Sequence, residues 1–247
     1  MLSTLFNTLF YQPLYNGLVL FIVAAPFFDV GVIVVLFTFF VKTILSPLSQ
    51  KSVQTQLKIK VLEPKIREIK KKYSDDKTKQ AEETMRVYKE NNVNPFSGIL
   101  LAFIQLPIIF ALFFIFRKGL PVIDTSLLYS FVKVPEVINM NFLGLINVGE
   151  QSAFLAVLVA VSAFFQMRLV MSKTTQGGQP SKENELATQL QKQMKYFFPV
   201  MTGFAAYYIS GAISLYWITS NLFMIGQELL LRKKKGLVTV QSQTPKA

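Results

Sequence analysis

The chain has no cysteine and no histidine among its 247 residues, and only 16% of them are charged. Without thiolate or imidazole there is no Cys- or His-ligated metal, no haem histidine, no Ser-His-Asp triad and no thiol nucleophile. Disulfides are excluded too, so cysteine usage carries no mark of a redox compartment. No GxxxxGK[ST] phosphate loop occurs either, which removes that route to nucleotide hydrolysis. These absences predict no catalytic residue, no metal and no cofactor.

What is present is apolar and basic. Hydrophobic residues make up 51% of the chain, and 26 Lys and Arg against 14 Asp and Glu leave a formal net charge of +12. A soluble domain carries about 25% charged residues, spread over its surface. Here residues 1–41 contain no Lys or Arg and a single acid, Asp29, whereas residues 42–95 hold 13 basic and 7 acidic residues. Apolar blocks alternating with basic blocks indicate a polytopic membrane protein rather than a DNA-binding one.

A membrane-crossing helix needs about 20 mostly apolar residues. Residues 98–116 are free of charge, and 153–167 qualify with their flanks. Residues 196–227 would make one helix of about 48 Å against a hydrocarbon core of about 30 Å, so Ser210-Gly211 is read as a turn between two short spans. Pro26 and Asp29 interrupt the first apolar stretch, which separates an interfacial helix within 3–25 from a first span. A secretory signal would need a basic n-region, and the first 41 residues hold no basic residue. The expected fold is all-α and polytopic, with five transmembrane helices, an N-terminal interfacial helix and a cytoplasmic helical hairpin.

The expected boundaries are an extracytoplasmic segment 1–28, spans at 29–49, 96–117, 151–171, 195–209 and 212–231, a hairpin at 50–95, an extracytoplasmic loop at 118–150, a cytoplasmic loop at 172–194 and a basic tail at 232–247. About 23 basic residues then fall on one side against 3 on the other. The positive-inside rule predicts an N-out, C-in protein with the basic set in the cytoplasm.

Within the hairpin, Leu57, Leu62, Ile66, Ile69 and Tyr73 recur at helical spacing, as do Ala81, Met85 and Tyr88 after Ser74-Asp75-Asp76. Two antiparallel amphipathic helices follow. Their net positive charge suits anionic headgroups, ribosomal RNA or acidic polypeptide alike.

Lys42 stands about 12 residues into the first span, with Ser46 and Ser49 on its face at i+4 and i+7. An intramembrane cation costs about 3 kcal/mol or more unless it reaches water, a partner or the interface; snorkelling to the headgroups is the bland alternative. Gln105, Gln166, Asn221 and Gln227 are polar groups in other apolar segments. Trp217 and Asn221 share a face, with Glu228 two turns further on. Gathered round one lysine, they would line a wetted cavity; taken singly, each could simply bond one helix to another.

The run FVKTILSPLSQKSVQTQLKIKVLEPKIREIKKKYSDDKTKQAEETMRVYKENNVNPFSGILLAFIQLPIIFALF strongly resembles the YidC-type membrane protein insertases, the YidC/Oxa/Alb family, as do FFQMRLVMSK, KQMKYFFPVM and SGAISLYWITSNLFMIGQELLLRK. The resemblance covers roughly residues 10–235 and is to a short form without a large extracytoplasmic domain. It implies a non-enzymatic insertase and chaperone whose hydrophilic groove opens to cytoplasm and lipid. Lys42 matches the groove's basic position, usually Arg in the family; Ser46, Gln105, Gln166, Trp217 and Asn221 match its lining. Glu228 stands where glutamine is common and is a candidate charge partner. Implied partners are nascent membrane proteins, the ribosome, the Sec translocon and lipid, with no small-molecule substrate. A permease would show internal repeats, and none is found. An intramembrane protease would need His-Ser, paired Asp or HExxH, all missing here.

Overall fold

The computed structural model describes residues 2–117, 120, 122–171 and 182–241. Helices account for most of them: α1 (Leu2–Phe6), a π-helical turn Asn7–Tyr11, α2 (Gln12–Ala24), α3 (Val30–Lys72), α4 (Lys77–Glu90), α5 (Ser97–Arg117), α6 (Ala153–Met171), α7 (Lys182–Tyr207) and α8 (Gly211–Gln241). The only sheet among the described residues is a two-stranded antiparallel ribbon, β1 (Asn141–Phe142) with β2 (Ile146–Asn147).

The expected all-α class is what the chain adopts. By length and composition one described segment, Val30–Thr55, is long and apolar enough to cross a membrane, while Gln105–Arg117 and Ala153–Leu169 are shorter apolar helices.

The helix α3 starts where Asp29 caps it, the carboxylate accepting the Val32 N–H at 2.9 Å. It then runs for 43 residues, through Pro47 and Pro64, about 65 Å at 1.5 Å per residue. No helix end falls at the expected 49/50 boundary. Hydropathy changes there, but the helix runs on through Ser46, Pro47 and Ser49 without a break.

The charged hairpin is present. The second half of α3 turns at 73–76 and returns as α4, capped by Asp76, whose carboxylate accepts the Lys79 N–H at 2.9 Å. Ile66, Val87 and Val93 are buried in its seam, and Gln80 Nε2 ties back to the Lys70 carbonyl at 3.0 Å. On α4 the inward residue is Val87; Ala81 and Met85 are exposed, because the seam follows a different face from the one the spacing suggested. The Leu57 side chain lies outside the described residues. Partial burial, and after it the nearby Glu63 carboxylate, raise the Tyr88 phenol above its usual pKa.

The main core gathers α2, α3, α5, the first turns of α8 and the 120–148 segment, with Leu18, Val19, Ile33, Ala111 and Val148 essentially inaccessible. The N-terminal helix is pinned to this core by polar bonds. Buried Asn16 donates to the Leu127 carbonyl at 2.8 Å and accepts the Tyr129 N–H at 2.7 Å. The Tyr15 hydroxyl accepts the Asp124 N–H at 2.8 Å.

The helices α6 and α7 pack closely. A Cβ on Gly203 would stand 2.7 Å from the Ala160 Cβ and 3.2 Å from the Ala156 carbonyl oxygen, so the absent side chain sets that approach. The expected turn at Ser210-Gly211 is observed. Gly211 N–H donates to the Glu150 carbonyl at 2.7 Å and Ala212 N–H to that of Val148 at 2.9 Å, which satisfies the start of α8. The helix α7 begins at Lys182, so 182–194, expected as a loop, is helical; residues 172–181 and 242–247 lie outside the described residues.

Candidate functional site

The helix α8 is the common neighbour of α3, α5, α6 and α7. Above it, between the α3/α5 pair and the α6/α7 pair, lies a partly open cavity of about 400 Å³. All five helices contribute side chains to its walls.

Of the residues singled out in the sequence, Lys42, Gln105, Gln166, Trp217 and Asn221 all line this space. Ser46 is not among the described lining residues. Ser49, one turn further along the same face, takes that place, and Ser46 contributes its backbone carbonyl, which accepts Gln227 Nε2 at 3.2 Å. A 100° advance per residue puts positions 42 and 49 closer in azimuth than 42 and 46, which is why i+7 faces the cavity.

Lys42 is only 9% exposed. Its ammonium donates to Gln105 Oε1 at 2.9 Å, and Gln105 Nε2 in turn donates to the Tyr216 hydroxyl. Tyr216 sits in the densest part of α8, fully buried, so the chain from ammonium to core runs through one amide. The snorkelling alternative does not hold, since the ammonium is bonded to a side chain of α5.

The other polar groups are held in the same side chain-to-side chain manner. Asn221 Nδ2 donates to Ser162 Oγ at 3.0 Å, joining α8 to α6. Gln166 Nε2 approaches Met224 Sδ at 3.2 Å, a weak acceptor. Ser49 Oγ donates to Gln227 Oε1. Glu228 is buried on α8 beside Gln227 and is not among the described lining residues.

Sequence reasoning missed three participants. Tyr216 reads as an ordinary core aromatic next to Trp217, and only the fold brings it under Gln105. Ser220 and Thr202 also line the cavity; both sit in apolar stretches where a hydroxyl is unremarkable. The remaining walls are apolar, including Leu45, Ile109, Val159, Phe198 and Phe223. One cation and a few amides and hydroxyls inside an apolar cleft can receive a chain that is mostly hydrophobic but carries a polar or acidic flank. Among the described residues no cluster of acids could hold a metal ion.

Comparison with known proteins gives the family. The profile described as 60Kd inner membrane protein matches residues 22–237. The chain belongs to this family. The family resides in the inner or plasma membrane, and its proteins are not enzymes. Similar relatives include the protein named membrane protein insertase YidC of Oceanobacillus iheyensis, 31% identical over 93% of this chain and 84% of the relative. That of Fusobacterium nucleatum is 31% identical over 83% of this chain and 86% of the relative. The protein of the same name from Pelodictyon phaeoclathratiforme is longer. It is 29% identical over 82% of this chain, which spans 33% of that relative.

Proposed function

We propose that this chain is a membrane protein insertase and chaperone that takes nascent integral membrane proteins from the cytoplasm into the lipid through the Lys42 cavity. The observation that carries the reading is the meeting of Lys42, Gln105, Gln166, Trp217 and Asn221 in one partly open cleft, in a chain whose relatives bear the name insertase.

In this reading five segments cross the bilayer, at 29–49, 96–117, 151–171, 195–209 and 212–231. The N-terminus and 118–150 lie outside, and the hairpin 50–95, the segment 172–194 and the tail 232–247 lie in the cytoplasm. The bias in basic residues supports that orientation.

The basic hairpin meets the incoming chain, delivered by the ribosome, alone or beside the Sec translocon. The polar flank of a hydrophobic segment enters the cleft, where the Lys42 ammonium attracts an acidic group more strongly than water would allow. Amides and hydroxyls of Gln105, Ser49 and Asn221 replace part of the flank's hydration. Spans as short as 195–209 suit a locally thinned bilayer, which shortens the polar path. The hydrophobic segment then leaves sideways into lipid, driven by about 0.8 kcal/mol per buried CH₂. A lysine offers a point charge without the guanidinium fork, so the attraction needs no bidentate clamp. Glu228, buried two turns beyond Asn221, is in this reading a charge partner for a basic group.

The test is site-specific photo-crosslinking from positions 166 and 217 to a ribosome-stalled nascent membrane protein in native membranes. Crosslinks to the nascent chain are expected, and crosslinks to lipid alone overturn the reading.

A further inference from the structure

At the opposite end from the hairpin, the 141–147 ribbon is built in an unusual way. Its tip is Leu143-Gly144-Leu145, with Leu143 at φ 53° and Gly144 at φ 71°. A leucine rarely takes the left-handed region, and something must hold it there. The holder is Asp29. One carboxylate oxygen caps α3 and the other accepts the Leu143 N–H at 3.1 Å. Phe142 lies directly over Gly31, where an added Cβ would fall 2.4 Å from the ring. The ribbon tip is thus fixed at the level of the first turn of α3.

The side chains held in that place point away from the protein. Leu145 is 85% exposed and Leu143 64%. On the other side of Asp29, Phe27 is 78% exposed, and its ring stacks at a tilt on that of Phe28, 4.6 Å between centroids. Single exposed leucines need no explanation, but four large apolar side chains grouped round one helix cap do. The nearest charge, Asp29, is engaged with two backbone donors, and the tip itself carries none. The apolar stretch Val30–Thr55 begins one residue after that cap, so in the span layout proposed above the cluster stands at the outer end of the first span.

We infer that Phe27, Phe28, Leu143 and Leu145 form an interfacial anchor that dips into the outer leaflet and fixes the depth of α3 in the membrane. The inference rests on the span layout proposed above. Its partner is the lipid surface as such: the anchor is uncharged, so it needs apolar acyl chains just below the headgroups and no particular headgroup charge. Anchoring α3 from outside also fixes the height of Lys42, one residue set on the same helix.

The experiment uses the absence of native cysteine. The full chain carrying Leu145→Cys, Phe27→Cys or, as a control, Glu136→Cys is labelled with a polarity-sensitive fluorophore and reconstituted into phosphatidylcholine vesicles and into phosphatidylethanolamine–phosphatidylglycerol vesicles. Quenching is read with lipids bearing a shallow nitroxide and with iodide on both sides of the membrane. The anchor predicts strong nitroxide quenching at 145 and 27, several-fold weaker iodide quenching there than at 136, and the same result in both lipids. Equal iodide quenching at all three positions puts the tip in water and overturns the anchor while leaving the spans intact. Labels at 145 and 27 shielded from both quenchers mean that protein covers them, which also overturns it. Nitroxide quenching in the anionic vesicles alone refutes an uncharged anchor. A position-136 label shielded from iodide overturns the span layout itself.

Discussion

The two ends of the helical assembly are built from different bonds. At the end that carries the 120–150 segment, polar side chains are tied to backbone: Asn16 to Leu127 and Tyr129, Tyr15 to Asp124, Asp29 to Val32 and Leu143. Backbone even closes on backbone, as Gly211 and Ala212 bond to Glu150 and Val148. In the half that faces the charged hairpin, the bonds that join one helix to another run mostly between side chains, Lys42 to Gln105, Asn221 to Ser162 and Ser49 to Gln227, with one to backbone, from Gln227 to the Ser46 carbonyl. A backbone bond is lost only if the fold moves, whereas a side chain can turn and bond a guest. The first end is a backbone-bonded seal and the second a side-chain lining able to exchange partners, the pair that the groove proposed above calls for.

That contrast can be attacked from either side. The largest effect is expected from Gly31→Leu, which has no room beneath Phe142; overpacking should cost about 3 kcal/mol, read as a lower thermal midpoint in detergent. Asn16→Ala removes a buried amide and orphans the Tyr129 N–H, at about 2 kcal/mol, while the Leu127 carbonyl keeps Gln12 Nε2 at 3.3 Å. Hydrogen exchange at the amides of Tyr129 and Asp124 should accelerate, and unchanged protection would show that the seal does not depend on Asn16. In the lining the currency is selectivity. Lys42→Ala should slow insertion of substrates with acidic translocated flanks about tenfold, equivalent to about 1.4 kcal/mol, and spare all-apolar ones. Lys42→Arg should retain activity, since either cation supplies the charge. Equal losses on both substrate types would remove the attraction from the mechanism. Gly226→Ala, with nothing within 4 Å of the new methyl, should stabilise α8 by up to about 1 kcal/mol, the opposite sign to Gly31. The smallest effect concerns the hairpin. The raised Tyr88 phenol favours the folded state below its ordinary value of about 10, and that preference is lost as pH climbs through the folded value. An absorbance titration should show Tyr88 ionising later than in Tyr88-containing peptide.

Hydropathy made most of the helices legible, because an apolar run of about 20 residues leaves the backbone few alternatives. It misplaced ends where polarity and helicity part company. KENELATQLQKQMK is polar yet rich in good helix formers, so α7 begins at Lys182, ahead of the apolar block. The 49/50 border in α3 is likewise a change of solvent preference without a change of backbone. Of the five expected residues that line the cavity, Lys42, Gln105, Gln166 and Asn221 are conspicuous because an amide or ammonium in an apolar run is costly, whereas Trp217 follows from the resemblance and from the face it shares with Asn221. Tyr216 was hidden because its bond from Gln105 exists only through the contact between α5 and α8, which no spacing in either helix encodes. Ser46 and Ser49 differ by less than one turn, and the smaller azimuthal offset of position 49 from Lys42 turns Ser49 inward.

One helix joins everything of interest: the capped Asp29, the cation at 42 and the stem of the cytoplasmic hairpin all ride on α3. Pro47 lacks the N–H that would bond the Thr43 carbonyl, so the rod has a compliant joint one turn past Lys42. That joint is braced on both sides, by Asp29 at the start of the helix and by the bond from Ser49 to Gln227 of α8 just beyond it, and Lys42 is held between the two braces.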